Sequence, residues 1–214
     1  MPLFPRNTLV LATRNQGKVR EMERYLAGQG ISITTASALH LPEVPETGTT
    51  FEANALLKAE ACAAASGLAV LADDSGLEVD LLDSAPGVYS ADWGGPERNF
   101  RMAMARLRSE VDRRIRSGAS AASAGEGERH GDLHRARFVS VLILKWPDGR
   151  LIKARGTVDG ALVFPPRGTG GFGYDPCFRP TGDSKTFGEM TPTEKARYSH
   201  RKRAMDVLLG QLCL

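Results

Sequence analysis

A change of hydrophobic period within the first 26 residues constrains this chain more than any other feature. Thr8 to Ala12 form a short apolar run bounded by polar residues, which reads as a buried strand. The polar stretch Thr13-Arg14-Asn15-Gln16-Gly17-Lys18 follows, and Val19, Met22 and Leu26 then recur at helical spacing up to a stop at Gly28. Strand, turn and helix in that order open an α/β unit. A second unit starts near Thr50, where Phe51, Ala55, Ala59 and Cys62 make a helical stripe of small residues ending near Gly67. Leu68 to Ala72 reads as a strand leading into Asp73-Asp74-Ser75-Gly76, after which Leu77, Val79 and Leu81 alternate with Glu78 and Asp80 as a separate, half-buried strand.

Further along, Phe100, Met104, Leu107 and Val111 mark an amphipathic helix. Arg137 to Trp146 and Leu151 to Arg155 read as strands joined by the turn Pro147-Asp148-Gly149. Pro165 to Pro176 is a loop rich in Gly and Pro, and Ser117 to Asp132 is a surface loop of Gly, Ala, Ser and charge, expected to be mobile. Thr191-Pro192-Thr193-Glu194 is a capping box with proline at the first helical position. The last helix is predicted over Arg201 to Leu212, with Met205, Leu208 and Leu212 on its apolar stripe. The expected architecture is one α/β domain with a mixed sheet, in two lobes.

Composition narrows the function classes. The chain has 214 residues, 42% of them hydrophobic, enough for a substantial core. Its three cysteines, Cys62, Cys177 and Cys213, are far apart and contain no CxxC pair, which argues against a disulfide framework and a zinc ribbon and fits a reducing cytoplasm. The longest apolar stretch, Phe138 to Leu144, is far too short to span a bilayer, and Met1 to Asn7 lacks the regions of a signal peptide. A cytoplasmic protein without a membrane partner is expected. Lys and Arg exceed Asp and Glu by only 28 to 25. That balance suits a nucleic-acid binder or an enzyme acting on small polyanions.

Five stretches carry candidate chemistry. The turn Thr13 to Lys18 opens a helix, so it offers backbone N–H groups, the positive end of the helix dipole and the Lys18 ammonium to phosphates. It is not a Walker A loop, since Ala12 and Val19 stand where glycine and Ser/Thr are required; a plain turn with a solvated lysine is the other reading. Asp73 and Asp74 follow an apolar strand directly, and adjacent carboxylates there need a cation or hydrogen bonds to offset their repulsion. Mg²⁺ with substrate phosphates would do so, with Glu43 or Glu46 as a second ligand, while a turn-capping role remains open for either Asp. Asn54 and Lys58 are four apart and share a helix face, which suits Lys58 to phosphate or to the acidic pair. Finally, Gly168 to Pro176 interleaves four glycines with Phe172 and Tyr174, a pattern suited to close backbone approach and base stacking, with Asp175 as an acceptor. His200 and Arg201 could donate to the oxygen at position 6 of hypoxanthine or xanthine, which adenine lacks.

Taken together, the stretches LATRNQGKVREM, ETGTTFEANALLKA, LADDSGLEVDLL with APGVYSA, GTGGFGYDPCF and EMTPTEKARYSHR resemble the inosine triphosphate pyrophosphatase-like family (dITP/XTP pyrophosphatases), in order and over nearly the whole chain. The resemblance implies a long mixed β-sheet flanked by helices, with two lobes around a central cleft, Mg²⁺ dependence and a homodimer. It implies hydrolysis of ITP, dITP and XTP to the monophosphate and pyrophosphate, and no nucleic-acid partner. By position it assigns Thr13, Arg14, Asn15, Gln16, Gly17 and Lys18 to phosphates, and Lys58 near them. Asp74 becomes the acid that binds metal and activates water, with Glu46 as the remaining second ligand and Ser75 at the substrate. Phe172, Gly173, Tyr174 and Asp175 would grip the nucleotide, with Lys195, His200 and Arg201 at the base. Arg14 and Pro45 depart from the family pattern, which usually has a small residue and an acid at those places.

Overall fold

The computed structural model describes residue 4 and residues 7–118 and 134–212. Most of the expected 117–132 loop, together with Cys213, His130 and most of the N-terminal segment, lies outside the described residues. Eleven strands and α-helices follow one another in the described chain: β1 (Thr8–Ala12), α1 (Gln16–Leu26), β2 (Ser32–Thr35), α2 (Phe51–Ser66), β3 (Ala69–Val79), α3 (Phe100–Arg116), β4 (Arg135–Lys145), β5 (Leu151–Leu162), β6 (Phe178–Pro180), α4 (Pro192–Ala196) and α5 (His200–Gln211). The strands form one sheet in the order β2-β1-β3-β4-β5-β6. β1 runs parallel to both β2 and β3, whereas β6 is antiparallel to β5, so the sheet is mixed and the fold is α/β. No helix among the described residues is long and apolar enough to cross a membrane.

Two compact units share this chain: Met1–Ser75 with Ser140–Gly156 and Arg201–Leu214, and Gly76–Val139 with Thr157–His200. The first is built around Leu9, Leu11 and Leu71 of the sheet, Val19, Met22 and Leu26 of α1, and Ala204, Met205 and Leu208 of α5. Apart from Ala204, these helical residues are periodic positions read from the sequence, which is why α1 and α5 bury one stripe each. The second unit packs Leu77, Val79 and Val158 with Leu107 and Val111 of α3 and an aromatic group of Phe138, Phe178 and Phe187. Cys62 and Cys177 are buried and free.

Local signals set most boundaries. Asn15 caps α1 and Thr50 caps α2, whose C-terminal Gly67 is left-handed with φ +65°. Thr191 and Glu194 form the predicted capping box of α4. The notable difference lies in β3. Asp73-Asp74-Ser75-Gly76 is not a turn between two strands but the middle of one eleven-residue strand, and both carboxylates are buried. Cationic side chains meet both of them, with opposite outcomes for the two acids, as described next. β5 also runs past the expected end at Arg155 to Leu162, and β2 and β6 are short strands that the sequence reading did not find.

Candidate functional site

Side chains alternate across a strand, so Asp73 and Ser75 share one face of β3 and Asp74 takes the other. The partners divide accordingly. Arg201, the second residue of α5 and 1% exposed, donates from Nε to Asp73 Oδ2 at 2.6 Å, from one Nη to Glu21 of α1, and from the other to Ser75 Oγ at 2.8 Å. Lys18 Nζ stands 3.6 Å from Asp73 Oδ2, and Ser140 Oγ donates to Asp73 Oδ1 at 3.4 Å. Burial opposes ionisation of Asp73, but Arg201, Lys18 and Lys58 outweigh it and hold the carboxyl well below its ordinary range. The same burial lowers the pKa of Lys18, against the attraction of Asp73 and with the help of Lys58 and Arg201.

On the other face Lys58 of α2 gathers three oxygens: Glu46 Oε1 at 2.5 Å, the Asp73 carbonyl at 2.8 Å and Asp74 Oδ1 at 3.4 Å. Desolvation works against the Lys58 charge, yet Asp74, Glu46 and Asp73 together raise its pKa. Asp74 shifts the opposite way from Asp73. Burial pushes its pKa up, Lys58 and Lys18 restrain the rise, and the nearby charges of Glu46 and Asp73 add to it. Its Oδ2 is buried with no hydrogen-bond partner among the described residues. A carboxylate oxygen left open in this way, next to an acid–lysine–acid arrangement, has unused capacity for a cation or a water.

The turn before α1 is arranged differently from the expectation. Asn15 turns its carboxamide oxygen toward the start of the helix. Its Oδ1 accepts from the Gly17 and Lys18 backbone N–H groups at 2.8 and 3.2 Å, and the Thr13 hydroxyl accepts from the Asn15 N–H at 3.2 Å. The cap thus consumes donors that the sequence reading reserved for phosphate, and the Lys18 ammonium is what the turn contributes to the acidic strand. Arg14, exposed, donates to the Leu41 carbonyl at 3.3 Å, and Gln16 is also exposed.

In the second unit the glycine-rich loop centres on Asp175, which is 2% exposed. Its Oδ2 accepts from the Phe172 N–H at 2.7 Å and from Lys195 Nζ at 2.6 Å. Gly171, at φ +71°, lies against that carboxylate so closely that any Cβ would overlap it, so only glycine fits. The Lys195 ammonium also sits over the Phe172 ring at 4.6 Å and the Phe187 ring at 5.5 Å, a cation–π arrangement. Gly173, also left-handed at φ +67°, passes over the Phe100 ring. His200 is buried and stacks on Phe138 at 4.9 Å between ring centroids.

Two of the residues expected at the nucleotide have partners within the fold. Tyr174 is 2% exposed, its hydroxyl donates to the Ser90 carbonyl at 2.9 Å, and its ring meets Phe100 edge-on. Arg201, expected at the base, instead directs its guanidinium to Asp73, Glu21 and Ser75. Glu21 was missed in the sequence. Its place three residues after Lys18, on one face of α1, was the available signal.

The model of the Ham1 family matches residues 9–211. The chain is 49% identical over 208 residues to the dITP/XTP pyrophosphatase of Rhodospirillum centenum, spanning 97% of this chain and 96% of that protein. It is 48% identical over 213 residues to the dITP/XTP pyrophosphatase of Bradyrhizobium diazoefficiens, spanning 96% and 95%. Among solved structures, a HAM1 protein from Coxiella burnetii superposes with a TM-score of 0.81 at 31% identity, covering 96% of this chain and 98% of that one. The Staphylococcus aureus Ham1 protein gives 0.78 at 32% identity, covering 96% and 97%.

Proposed function

This chain belongs to the Ham1 family, and from that membership we propose that it is a dITP/XTP pyrophosphatase. It hydrolyses ITP, dITP and XTP with one water to the nucleoside monophosphate and pyrophosphate, and so removes deaminated purines from the nucleotide pool. The observation that carries this reading is the buried, open Oδ2 of Asp74 beside the Glu46–Lys58–Asp74 chain.

The residues present fit a divalent cation. Among the described residues no group of three His, Cys, Asp or Glu is placed to hold a metal; two carboxylates, one with an open oxygen, match Mg²⁺, which takes few protein ligands and completes its shell with water and phosphate. Asp74 and Glu46 would hold it, and when bound it supplies positive charge against the phosphate oxygens. Asp74 orients the attacking water and accepts its proton, a task helped by a carboxyl whose pKa is raised toward the working pH. Lys58 and Lys18 balance the negative charge of triphosphate and acids. Arg201 holds Asp73, and through Ser75 the strand, in place; we assign it this work rather than a base contact.

For the base, Lys195, Phe172, Asp175 and His200 are the candidates. Lys195 is fixed by Asp175 with its ammonium able to donate to an oxygen at position 6, which inosine and xanthosine carry. Replacing Lys195 with Met keeps the apolar stem and removes the donor. It is expected to raise KM for ITP about 10- to 100-fold, the worth of one charged hydrogen bond, and to narrow the ITP-to-ATP preference. An unchanged preference ratio would place base recognition elsewhere. A homodimer in the cytoplasm completes the proposal.

The decisive experiment is a turnover panel with ITP, dITP, XTP, GTP, ATP and dTTP, with and without Mg²⁺. Pyrophosphate release confined to the inosine and xanthosine nucleotides and dependent on the metal is expected. Preference for a pyrimidine nucleotide, or full turnover in chelator, would overturn the proposal.

A further inference from the structure

The loop carrying Glu46 is fastened to α2 at one buried point. Asn54 is 2% exposed, and its Oδ1 accepts a 2.7 Å hydrogen bond from the Gly48 N–H. Gly48 lies so near the helix that a Cβ there would stand 2.7 Å from the Ala53 Cβ and 2.8 Å from Asn54 Oδ1. Any other residue at 48 would push the loop outward. Glu46 is two residues upstream, and it meets Lys58, which lies one helical turn beyond Asn54 on the same face of α2. One helix face therefore fixes both the height of the Glu46 loop and the ammonium that Glu46 touches. The start of α2 does not require this bond, because Thr50 Oγ1 caps the helix by accepting from Ala53 N–H at 3.1 Å. A carboxamide buried at this depth is costly without a bonded partner, and the partner here is a loop amide rather than the helix.

We propose that Asn54 is a positioning residue for the reaction: by holding the Gly48 amide it keeps Glu46 beside Lys58 and Asp74, so divalent-cation affinity depends on a side chain that touches neither cation nor substrate. This rests on the reading of Glu46 and Asp74 as metal ligands. It extends the supporting shell of the site to the segment between Glu46 and Thr50, where Gly48 and Asn54 act as a pair.

The test compares Asn54→Leu, which removes the acceptor at similar volume, with Asn54→Asp, which keeps it. Mg²⁺ binding is measured by calorimetry on the full chain without nucleotide, and kcat, KM and the half-saturating Mg²⁺ concentration are measured with ITP. Asn54→Leu is expected to weaken Mg²⁺ binding and raise the half-saturating concentration about 10- to 100-fold, as loss of an outer-shell support does, with KM changing less. Asn54→Asp recovers most of the affinity. Because Asn54 acts through Glu46, the double variant Asn54→Leu/Glu46→Gln binds Mg²⁺ no more weakly than Glu46→Gln alone. Additive losses, no recovery by Asn54→Asp, or a lowered melting temperature with unchanged Mg²⁺ affinity overturns the proposal. If Glu46→Gln itself leaves Mg²⁺ affinity unchanged, the ligand reading falls and this proposal with it; if Glu46→Gln weakens binding and Asn54→Leu does not, only the role of Asn54 falls.

Discussion

Asp74→Asn is expected to lower kcat for ITP by about 10²–10⁴-fold, the range for losing a positioned general base, and by more where metal binding is lost with it. The variant should nevertheless fold, and its thermal stability should equal or exceed that of the parent protein. The sign follows from the raised pKa. A carboxyl that binds its proton more tightly in the folded than in the unfolded chain loses native stability as pH rises through its unfolded value, since ionisation is then penalised only when folded. The neutral amide removes that penalty, while Lys58 keeps Glu46 and the Asp73 carbonyl as partners. Initial rates at saturating Mg²⁺ and a melting curve check both halves. Near-normal turnover in a folded variant would remove Asp74 from the chemistry, and a marked loss of stability would contradict the account of its ionisation.

Arg201→Met is expected to have the largest effect on the fold, a loss of about 3–5 kcal/mol, because it strands Asp73 and Glu21 as buried carboxylates without their shared cation. Urea unfolding at neutral pH measures it as a lower midpoint at unchanged slope. The pH dependence is directional. In the parent protein Asp73 has a depressed pKa, so its contribution is full above the unfolded carboxyl value and is lost as pH falls through the folded one. In the variant the same carboxyl gains from protonation, so the gap between the two proteins should be widest near neutrality and shrink in acid. Under conditions where the variant stays folded, its ITP-to-ATP preference should match the parent's. A loss below about 1 kcal/mol, the scale of an exposed ion pair, would mean that the guanidinium is not the anchor described.

What the sequence disclosed follows the range of the interactions involved. The helix starts near Thr50 and at Thr191 and the stripes of α1, α3 and α5 were legible because caps and the 3.6-residue period are local properties. The continuous course of β3 was not. Two adjacent aspartates look like a turn until Arg201, 128 positions away in the chain, is known to meet one of them. For the same reason the bond from the Tyr174 hydroxyl to the Ser90 carbonyl, 84 positions earlier, was not legible. Residue types pointed to Lys18, Lys58 and the paired aspartates, which lie together in the first unit. They could not divide the labour within a stretch, such as the Asn15 amide between capping its own helix and meeting a ligand.

Neighbouring codons in β3 encode opposite consequences, because the pleat sends consecutive side chains to different sides of the sheet. A library screened for soluble expression would discard changes at residue 73 and retain those at residue 74, whereas a screen for turnover would reject both. Abundance data and activity data from such a library would therefore separate at this pair, and the size of that separation would report how cleanly the strand isolates scaffold from chemistry.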